Sequence, residues 1–461
     1  MQRSANSRIA CIVWLAVSLL FPATTRSETP NIVLIMVDDL GWMDLACQGN
    51  RLVETPHLDR LATQGMRFTN AYAAAPVCSP TRAAILTGKS PARLQLTNHI
   101  PDQPRFTPPA AKLLSAPMID HLPLEEVTLA ERLLAAGYAT GFFGKWHLAG
   151  HGDPALYPDR QGFQVNIGGC AFGGPPTFFD PYRIPTLPDR RPGEYLPDRL
   201  VDEAIQFITA SKKQPFFVCL WTYTVHWPME APAELLEKYA DRTGPGLNDT
   251  RYGAMIEAMD TAIGKLLAEL DRLELTDDTL VVFTSDNGGF GGVADNRPLR
   301  AAKGHLYEGG IRVPMIVRWP AVVRAGSECS VPVVSMDTYP TLLDAAGISQ
   351  NDNEAPDGEN LLPLLTETGS LTRDAIYFHF PNYAWHGSNR LGSAIRSGPY
   401  KLIEFFEDDS LELYDLTNDL GETNNLAAEK PELASQLRQR LATWRQETAA
   451  AMPRRKESEG R

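Results

Sequence analysis

Five short apolar runs, each too short for a typical helix, constrain the fold of this chain most. They are Asn31 to Val37, Tyr138 to Phe143, Pro215 to Thr222, Thr279 to Thr284 and Val313 to Arg318. A run of this length with almost no polar position has no solvent-facing side, so each reads as a strand buried on both faces. Helical patterns lie between them. Thr128 and Glu131 form a capping box ahead of a helix that stops at Gly137. Arg199 to Lys212 and Arg251 to Leu273 also have helical spacing, with Met255, Ile256, Met259 and Ile263 on one face as core. Strands alternating with helices predict an α/β fold, a large and mainly parallel sheet sandwiched by helices.

The pattern changes after Leu343. A polar stretch from Ser349 to Gly358 reads as a surface connection, and a second unit follows it. That unit has strand-like pieces at Ala375 to Phe380, Ser393 to Arg396, Tyr400 to Phe406 and Glu412 to Tyr414, then a helix from Lys430 to Glu447. It is expected to be a small antiparallel sheet with a C-terminal helix, ending in a frayed, solvated tail at 454–459. At the other end Arg3 and Arg8 precede the apolar run Ile9 to Phe21 and then Pro22-Ala23-Thr24-Thr25-Arg26-Ser27, which reads as a signal peptide with an untidy cleavage region. The run falls short of the ~20 residues of a spanning helix, so export without stable membrane insertion is expected. The organisation is then 1–27 signal peptide, 28–348 catalytic domain and 349–461 smaller α+β domain.

A formal net charge of -13 argues against nucleic acid as a partner, because phosphate neutralisation needs a basic face. An anionic substrate must meet a local basic pocket instead. Of the six cysteines, Cys219 lies in an apolar run and is expected to be a buried free thiol; no disulfide is assigned.

Residues with reactive side chains follow the C-terminal ends of the strand runs, where open α/β sheets place their ligand crevice. Asp38 and Asp39 follow the first run, Lys145 and His147 the second, His226 the third, and Asp286 and Asn287 the fourth. One strand-end Asp is usually a cap or turn residue; four armed ends together point to a site. Asp38, Asp39, Asp286 and Asn287 offer only oxygen, which suits calcium or magnesium rather than zinc, and calcium is preferred. His99 and His151 could line a substrate pocket, and the sequon at Asn248 permits glycosylation where the host has the machinery.

The most specific stretch is Pro76 to Gly88, which contains Cys78-Ser79-Pro80-Thr81-Arg82 and then Ile85-Leu86-Thr87-Gly88. It resembles the signature of the sulfatase family, in the alkaline phosphatase superfamily, in which Cys-x-Pro-x-Arg directs oxidation of the cysteine to formylglycine. The second family signature is similar to Gly137-Tyr138-Ala139-Thr140 with Gly144-Lys145-Trp146-His147, except that Phe143 replaces a small or aliphatic residue. The resemblance runs from Asn31 through Lys303 to Pro314, and the C-terminal unit looks like the family's smaller domain; arylsulfatases and N-acetylgalactosamine-6-sulfatase-type enzymes are the most similar members.

The resemblance implies an alkaline-phosphatase-like fold and hydrolysis of sulfate monoesters, on sulfated carbohydrates, after a formylglycine-generating maturation enzyme has acted on Cys78. Asp38, Asp39, Asp286, Asn287 and modified Cys78 would bind one calcium, with Arg82 steadying the hydrate. One hydroxyl of hydrated formylglycine would attack sulfur, and deprotonation of the other would expel sulfate. Lys145 and Lys303 would clamp the sulfate, His147 would take the hydrate's proton, and His226 would help protonate the leaving oxygen. Pro80 suits the first turn of a helix, which would put residue 78 at its positive end. The alternatives are a phosphoester or phosphonate monoester hydrolase of the same superfamily, and a non-catalytic glycan-binding protein in which Cys78 stays a thiol.

Overall fold

The computed structural model describes residues 29–101, 104–349 and 356–456. The expected signal peptide, the centre of the polar connection and the last five residues lie outside the described residues. In chain order the strands are β1 (Asn31–Val37), β2 (Met66–Tyr72), β3 (Leu113–Leu114), β4 (Ala139–Gly144), β5 (Val165–Ile167), β6 (Phe216–Trp221), β7 (Thr279–Ser285), β8 (Arg312–Arg318), β9 (Ser327–Cys329), β10 (Val333–Val334), β11 (Ala375–Phe380), β12 (Gly392–Ser397), β13 (Tyr400–Phe405), β14 (Leu411–Asp415) and β15 (Arg454–Arg455).

Nine of these form one sheet in the order β10-β2-β8-β7-β1-β6-β4-β5, with β9 also pairing β2. Every residue of β1, β6, β7 and β8 is buried. Consecutive strand residues point to opposite faces, so unbroken burial means that both faces are covered. The covering helices include Leu196–Ser211 and Thr250–Arg272, the latter burying Met255, Ile256, Met259 and Ile263. Leu129–Ala135 begins on the expected capping box: Glu131 N donates to Thr128 Oγ1 at 3.1 Å, and Thr128 N donates to Glu131 Oε2 at 2.8 Å. Among the described residues no helix is long and apolar enough to cross a membrane.

The sheet is mainly parallel, but β8 is antiparallel to both neighbours, β7 and β2. This reversal matters for the site. The parallel strands β1, β4, β6 and β7 all end at one edge, and β8 starts there, so the segment before it is delivered to the same edge. Lys303 lies in that segment.

The second unit is the antiparallel sheet β11-β12-β13-β14. Its strands alternate between two cores. Ala375, Ile395, Leu402 and Leu413 pack with Ala434, Leu437 and Leu441 of the helix Pro431–Glu447. Phe378, Phe380, Ala394 and Ile403 pack instead with Tyr72, Val77, Ala84 and Ile311 of the larger unit. At ~25 cal/mol per Å² of apolar surface, each large side chain in that second layer contributes about 2 kcal/mol to holding the units together. The tail departs from expectation. Arg454–Arg455 is not frayed but pairs antiparallel with Leu113–Leu114, satisfying its backbone while both side chains stay exposed. Cys47, Cys78, Cys170, Cys219 and Cys329 are free thiols, Cys219 fully buried in β6 as expected.

Candidate active site

The carboxyl edge of the sheet collects the site. Asp38 and Asp39 leave β1, and Asp39 turns the chain with φ of 62°, a left-handed conformation that aspartate tolerates better than most residues. Asp286 and Asn287 leave β7, and the Asp39 amide donates to Asp286 Oδ1 at 3.2 Å. Lys145 follows Gly144, where a Cβ would lie 2.0 Å from the Trp221 carbonyl oxygen, so only glycine permits this approach of β4 to β6. Cys78 opens the helix Cys78–Thr87, all ten of whose residues are buried, Arg82 included. Pro80 sits in its first turn, and residue 78 therefore faces the edge from the helix's positive end.

Charges interlock around Cys78. Arg82 donates from Nε and Nη2 to Asp286 Oδ2, at 3.0 and 2.6 Å, and from Nη1 to the Lys145 carbonyl at 2.6 Å. Lys145 Nζ donates to Asp38 Oδ2 at 2.6 Å, and Lys303 Nζ lies 2.5 Å from Asp39 Oδ1. The Asn287 amide donates to Asp39 Oδ1 at 2.8 Å, and His226 Nε2 is 3.8 Å from Asp39 Oδ2. The Cys78 sulfur is 3.7 Å from Asp38 Oδ1.

Burial drives the Asp38 carboxyl up to about 8, with Lys145 pulling it down and Asp286 and Asp39 pushing it further up. Burial opposes ionisation of Asp39 too, but Lys303, His226 and Lys145 outweigh it and hold that carboxyl well below the usual range. Asp286 is likewise lowered, because Arg82 and Lys145 overcome its burial. Burial pushes the Cys78 thiol up to about 12, so the unmodified side chain is a neutral and poor nucleophile. Burial depresses His147 far below its ordinary value, and Lys145 and Arg82 add to this. Burial also brings His226 down to about 3, against the pull of Asp39.

Side-chain ligand atoms of Asp38, Asp39, Cys78 and Asp286 all lie within 4.8 Å of one another. Asp39 Oδ2 and Asn287 Oδ1 are buried with no hydrogen-bond partner among the described residues, and buried oxygens of this kind call for a donor or a cation. The residues present thus fit an oxygen-bound metal ion.

Above this floor is a cavity of about 340 Å³, whose lining includes Cys78, His99, His147, His226 and Lys303. His151 is not part of it; its exposed side chain lies 3.9 Å from Asp120. The cavity also draws on residues that sequence reasoning did not single out: Arg105, Phe106, Trp227, Phe290 and Trp385. Trp227 adjoins His226 and Phe290 lies three residues past Asn287, so proximity to the strand-end residues could have flagged them. Trp385 comes from the second unit, and nothing local marks it. Its ring stacks on Phe290 with centroids 6.0 Å apart, and Lys303 Nζ is 5.3 Å from its centroid. A larger depression of about 710 Å³, lined by residues such as Val331, Ile376 and Arg396, contains none of the site residues.

Comparison with known proteins agrees with this architecture. The family model for sulfatases matches residues 30–348, and that for the C-terminal part of N-sulphoglucosamine sulphohydrolase matches residues 301–447. Human arylsulfatase A is 33% identical over 472 residues, covering 90% of this chain and 87% of that protein. Human N-acetylgalactosamine-6-sulfatase is 34% identical over 387 residues, covering 77% of this chain and 69% of that protein. The crystal structure of Ps i-CgsB in complex with k-i-k-neocarrahexaose has a TM-score of 0.78 at 29% identity, covering 90% of this chain and 93% of that one. The chain belongs to the sulfatase family of sulfuric ester hydrolases.

Proposed function

We propose that the protein hydrolyses sulfate monoesters on carbohydrates, using formylglycine made from Cys78 and one bound calcium ion. The observation that carries this reading is the placement of Cys78 at a buried helix N-terminus amid three carboxylates and three cations. With all three carboxylates ionised, Asp38, Asp39 and Asp286 balance Arg82, Lys145 and Lys303 in formal charge, so an anionic substrate would then need a further cation. A divalent ion held by the three carboxylates, Asn287 and residue 78 would provide it. When present, formylglycine hydrate would supply the attacking hydroxyl, and calcium would acidify it and draw charge from a sulfate oxygen.

The chain's own residues then have distinct tasks. Arg82 holds Asp286 and the Lys145 carbonyl in place beside residue 78. Lys145 and Lys303 would face the sulfate oxygens while anchored on Asp38 and Asp39. His147 Nε2 is hydrogen-bonded to the Ile100 carbonyl, so that nitrogen carries the proton and the buried, unpartnered Nδ1 carries the lone pair that would accept one. His226 Nδ1 donates to the Trp227 carbonyl at 2.9 Å, leaving its lone pair on Nε2. To protonate a leaving oxygen it must first gain a proton there, which the negative charge of a bound sulfate would favour.

Residues 28–348 are read as the catalytic domain and 349–461 as a smaller domain that completes its pocket, with export following removal of 1–27. Maturation requires a formylglycine-generating enzyme. The test is sulfate release from singly sulfated galactose, N-acetylgalactosamine, glucosamine and fucose, with Cys78→Ala alongside. Loss of activity in the variant, and a wild-type Cys78 peptide whose mass shows sulfur replaced by oxygen together with the loss of two hydrogens, are expected. Full activity of Cys78→Ala would overturn the reading, and a higher kcat/KM on a phosphate diester than on the matched sulfate ester would favour the phosphoester alternative.

A further inference from the structure

The cavity above Cys78 has a charge pattern that a single sulfate does not use up. Its described lining contains no carboxylate, and it contains two formal cations, Lys303 and Arg105. Lys303 is buried at the floor and answered by Asp39 at 2.5 Å. Arg105 is exposed at the rim, its guanidinium 5.3 Å from the Phe106 ring centroid, and among the described residues no carboxylate pairs with it. The contrast with Arg251, which also flanks the cavity by lying over the Trp227 ring, is informative: Asp249 neutralises Arg251 at 2.6 Å. Among the described residues Arg105 is therefore the rim cation left available to a ligand.

Between floor and rim the walls are flat and apolar. Phe290 and Trp385 stack at an interplanar angle of 15°, and the ring of His99 meets Trp385 edge-on at 5.5 Å. Phe106 continues this wall, 5.3 Å from His99, toward Arg105. The volume of about 340 Å³ lies at the lower end of the ~300–1,000 Å³ usual for ligand pockets, enough for one ring and its substituents rather than a long oligomer. Aromatic faces suit the C–H side of a pyranose, and a guanidinium at the far end suits a sulfate or carboxylate through paired N–H donors.

We infer that the site selects a saccharide unit bearing two anionic groups: the sulfate ester to be cleaved, at the Lys145 and Lys303 end, and a second sulfate or a carboxylate bound by Arg105. The ring between them lies against the Phe290 and Trp385 wall. This rests on the sulfate-ester reading above. It makes Arg105 a specificity-determining residue, and it places the protein's substrate among densely charged saccharides rather than singly sulfated or aryl esters.

The experiment compares wild type, Arg105→Ala and Arg105→Lys, each matured and each checked for an unchanged melting temperature. The probes are N-acetylgalactosamine and glucosamine 6-sulfates, their disulfated counterparts, and a disaccharide joining glucuronic acid to N-acetylgalactosamine 6-sulfate. Wild type should prefer one of the dianionic probes over its singly charged match by at least tenfold in kcat/KM. Which probe wins distinguishes a second sulfate from a carboxylate. Arg105→Ala should erase that ratio mainly through KM, and Arg105→Lys should retain part of it. Equal losses on both members of a pair, or a wild type without the preference, would overturn the inference alone. Sulfate release from no ester at all would overturn the hydrolase reading, and this inference with it.

Discussion

Lys401→Met tests how the smaller unit is fastened to the catalytic sheet. Lys401, in β13, is fully buried, with Nζ 2.9 Å from Glu308 Oε1 and 2.9 Å from Glu422 Oε1. Glu308 belongs to the segment between Lys303 and β8, so this triad ties the unit bearing Trp385 to the segment bearing Lys303. Removing the ammonium affects the two carboxylates unequally. Glu308 keeps the Tyr72 hydroxyl at 2.7 Å and Arg312 at 3.4 Å. Glu422 keeps only the Glu308 amide, at 2.7 Å, and among the described residues it has no other cation. Breaking one partner of a buried ion pair costs about 3–5 kcal/mol, and the support left to Glu308 favours the lower end, about 3 kcal/mol. At ~2.1 cal/mol/K per residue, the melting entropy of a 461-residue chain is roughly 1 kcal/mol/K, so Tm should fall by roughly 3 °C if the chain melts as one unit. The deficit should also depend on pH. Burial already holds the Glu422 carboxyl up at about 7, against the pull of Lys401. A carboxyl raised in the folded state stabilises fully below its unfolded value near 4.5, and that contribution is lost as pH rises through the folded value. Without Lys401 the folded value moves higher, so the variant's deficit is smallest near pH 5 and larger at pH 8. Scanning calorimetry at both pH values, with the double variant Lys401→Met/Glu422→Gln, is the assay. The second change removes the stranded carboxylate and should recover at least half the lost Tm. A single variant within 1 °C of wild type at pH 8, or a double variant no better than the single, would refute the reasoning.

Arg82→Lys keeps the charge but forfeits the fork that spans Asp286 and the Lys145 carbonyl, and kcat should drop by about 10²-fold or more with the fold retained; wild-type kcat would count against the positioning role. Dialysis of matured protein against a calcium chelator should abolish sulfate release and lower Tm, since an ion present at ~100 times its Kd contributes about 2.7 kcal/mol. Calcium should restore both better than magnesium, and a Tm indifferent to chelation would show that the carboxylate cluster holds no ion. Trp385→Ala should raise KM for a sulfated saccharide by about tenfold while kcat changes less, as expected of a wall that binds the ring but does not touch the reacting bond; an unchanged KM would remove Trp385 from the site.

How much of this was legible in the sequence follows from what each signal encodes. β1, β4, β6, β7 and β8 were readable because a strand covered on both faces has almost no polar position, and Asp38, Lys145 and Asp286 were readable because they interrupt that run at its end. β2 escaped notice: Met66–Tyr72 mixes buried with half-buried residues without a strict alternation and carries Arg67, Thr69 and Asn70, a weak pattern for a strand lying between β8 and the short β9 and β10. The direction of β8 was not readable at all, since apolar content is the same whichever way a strand runs. Yet direction is what brings Lys303 to the carboxyl edge; a parallel β8 would have delivered it to the opposite end. The same limit hid the second unit's share in the site. Its strands disclose two apolar faces by their period of two, Ile376, Phe378 and Phe380 against Ala375 and Tyr377, but not which face meets the helix and which the larger unit. Trp385 enters the cavity only because the first of those faces docks on Tyr72, Val77 and Ile311, and the strands on either side carry it there. A substrate wall made this way depends on an interface between units, so damage at Lys401, distant in sequence from every motif, reaches the pocket through the same sheet that holds Trp385 in place.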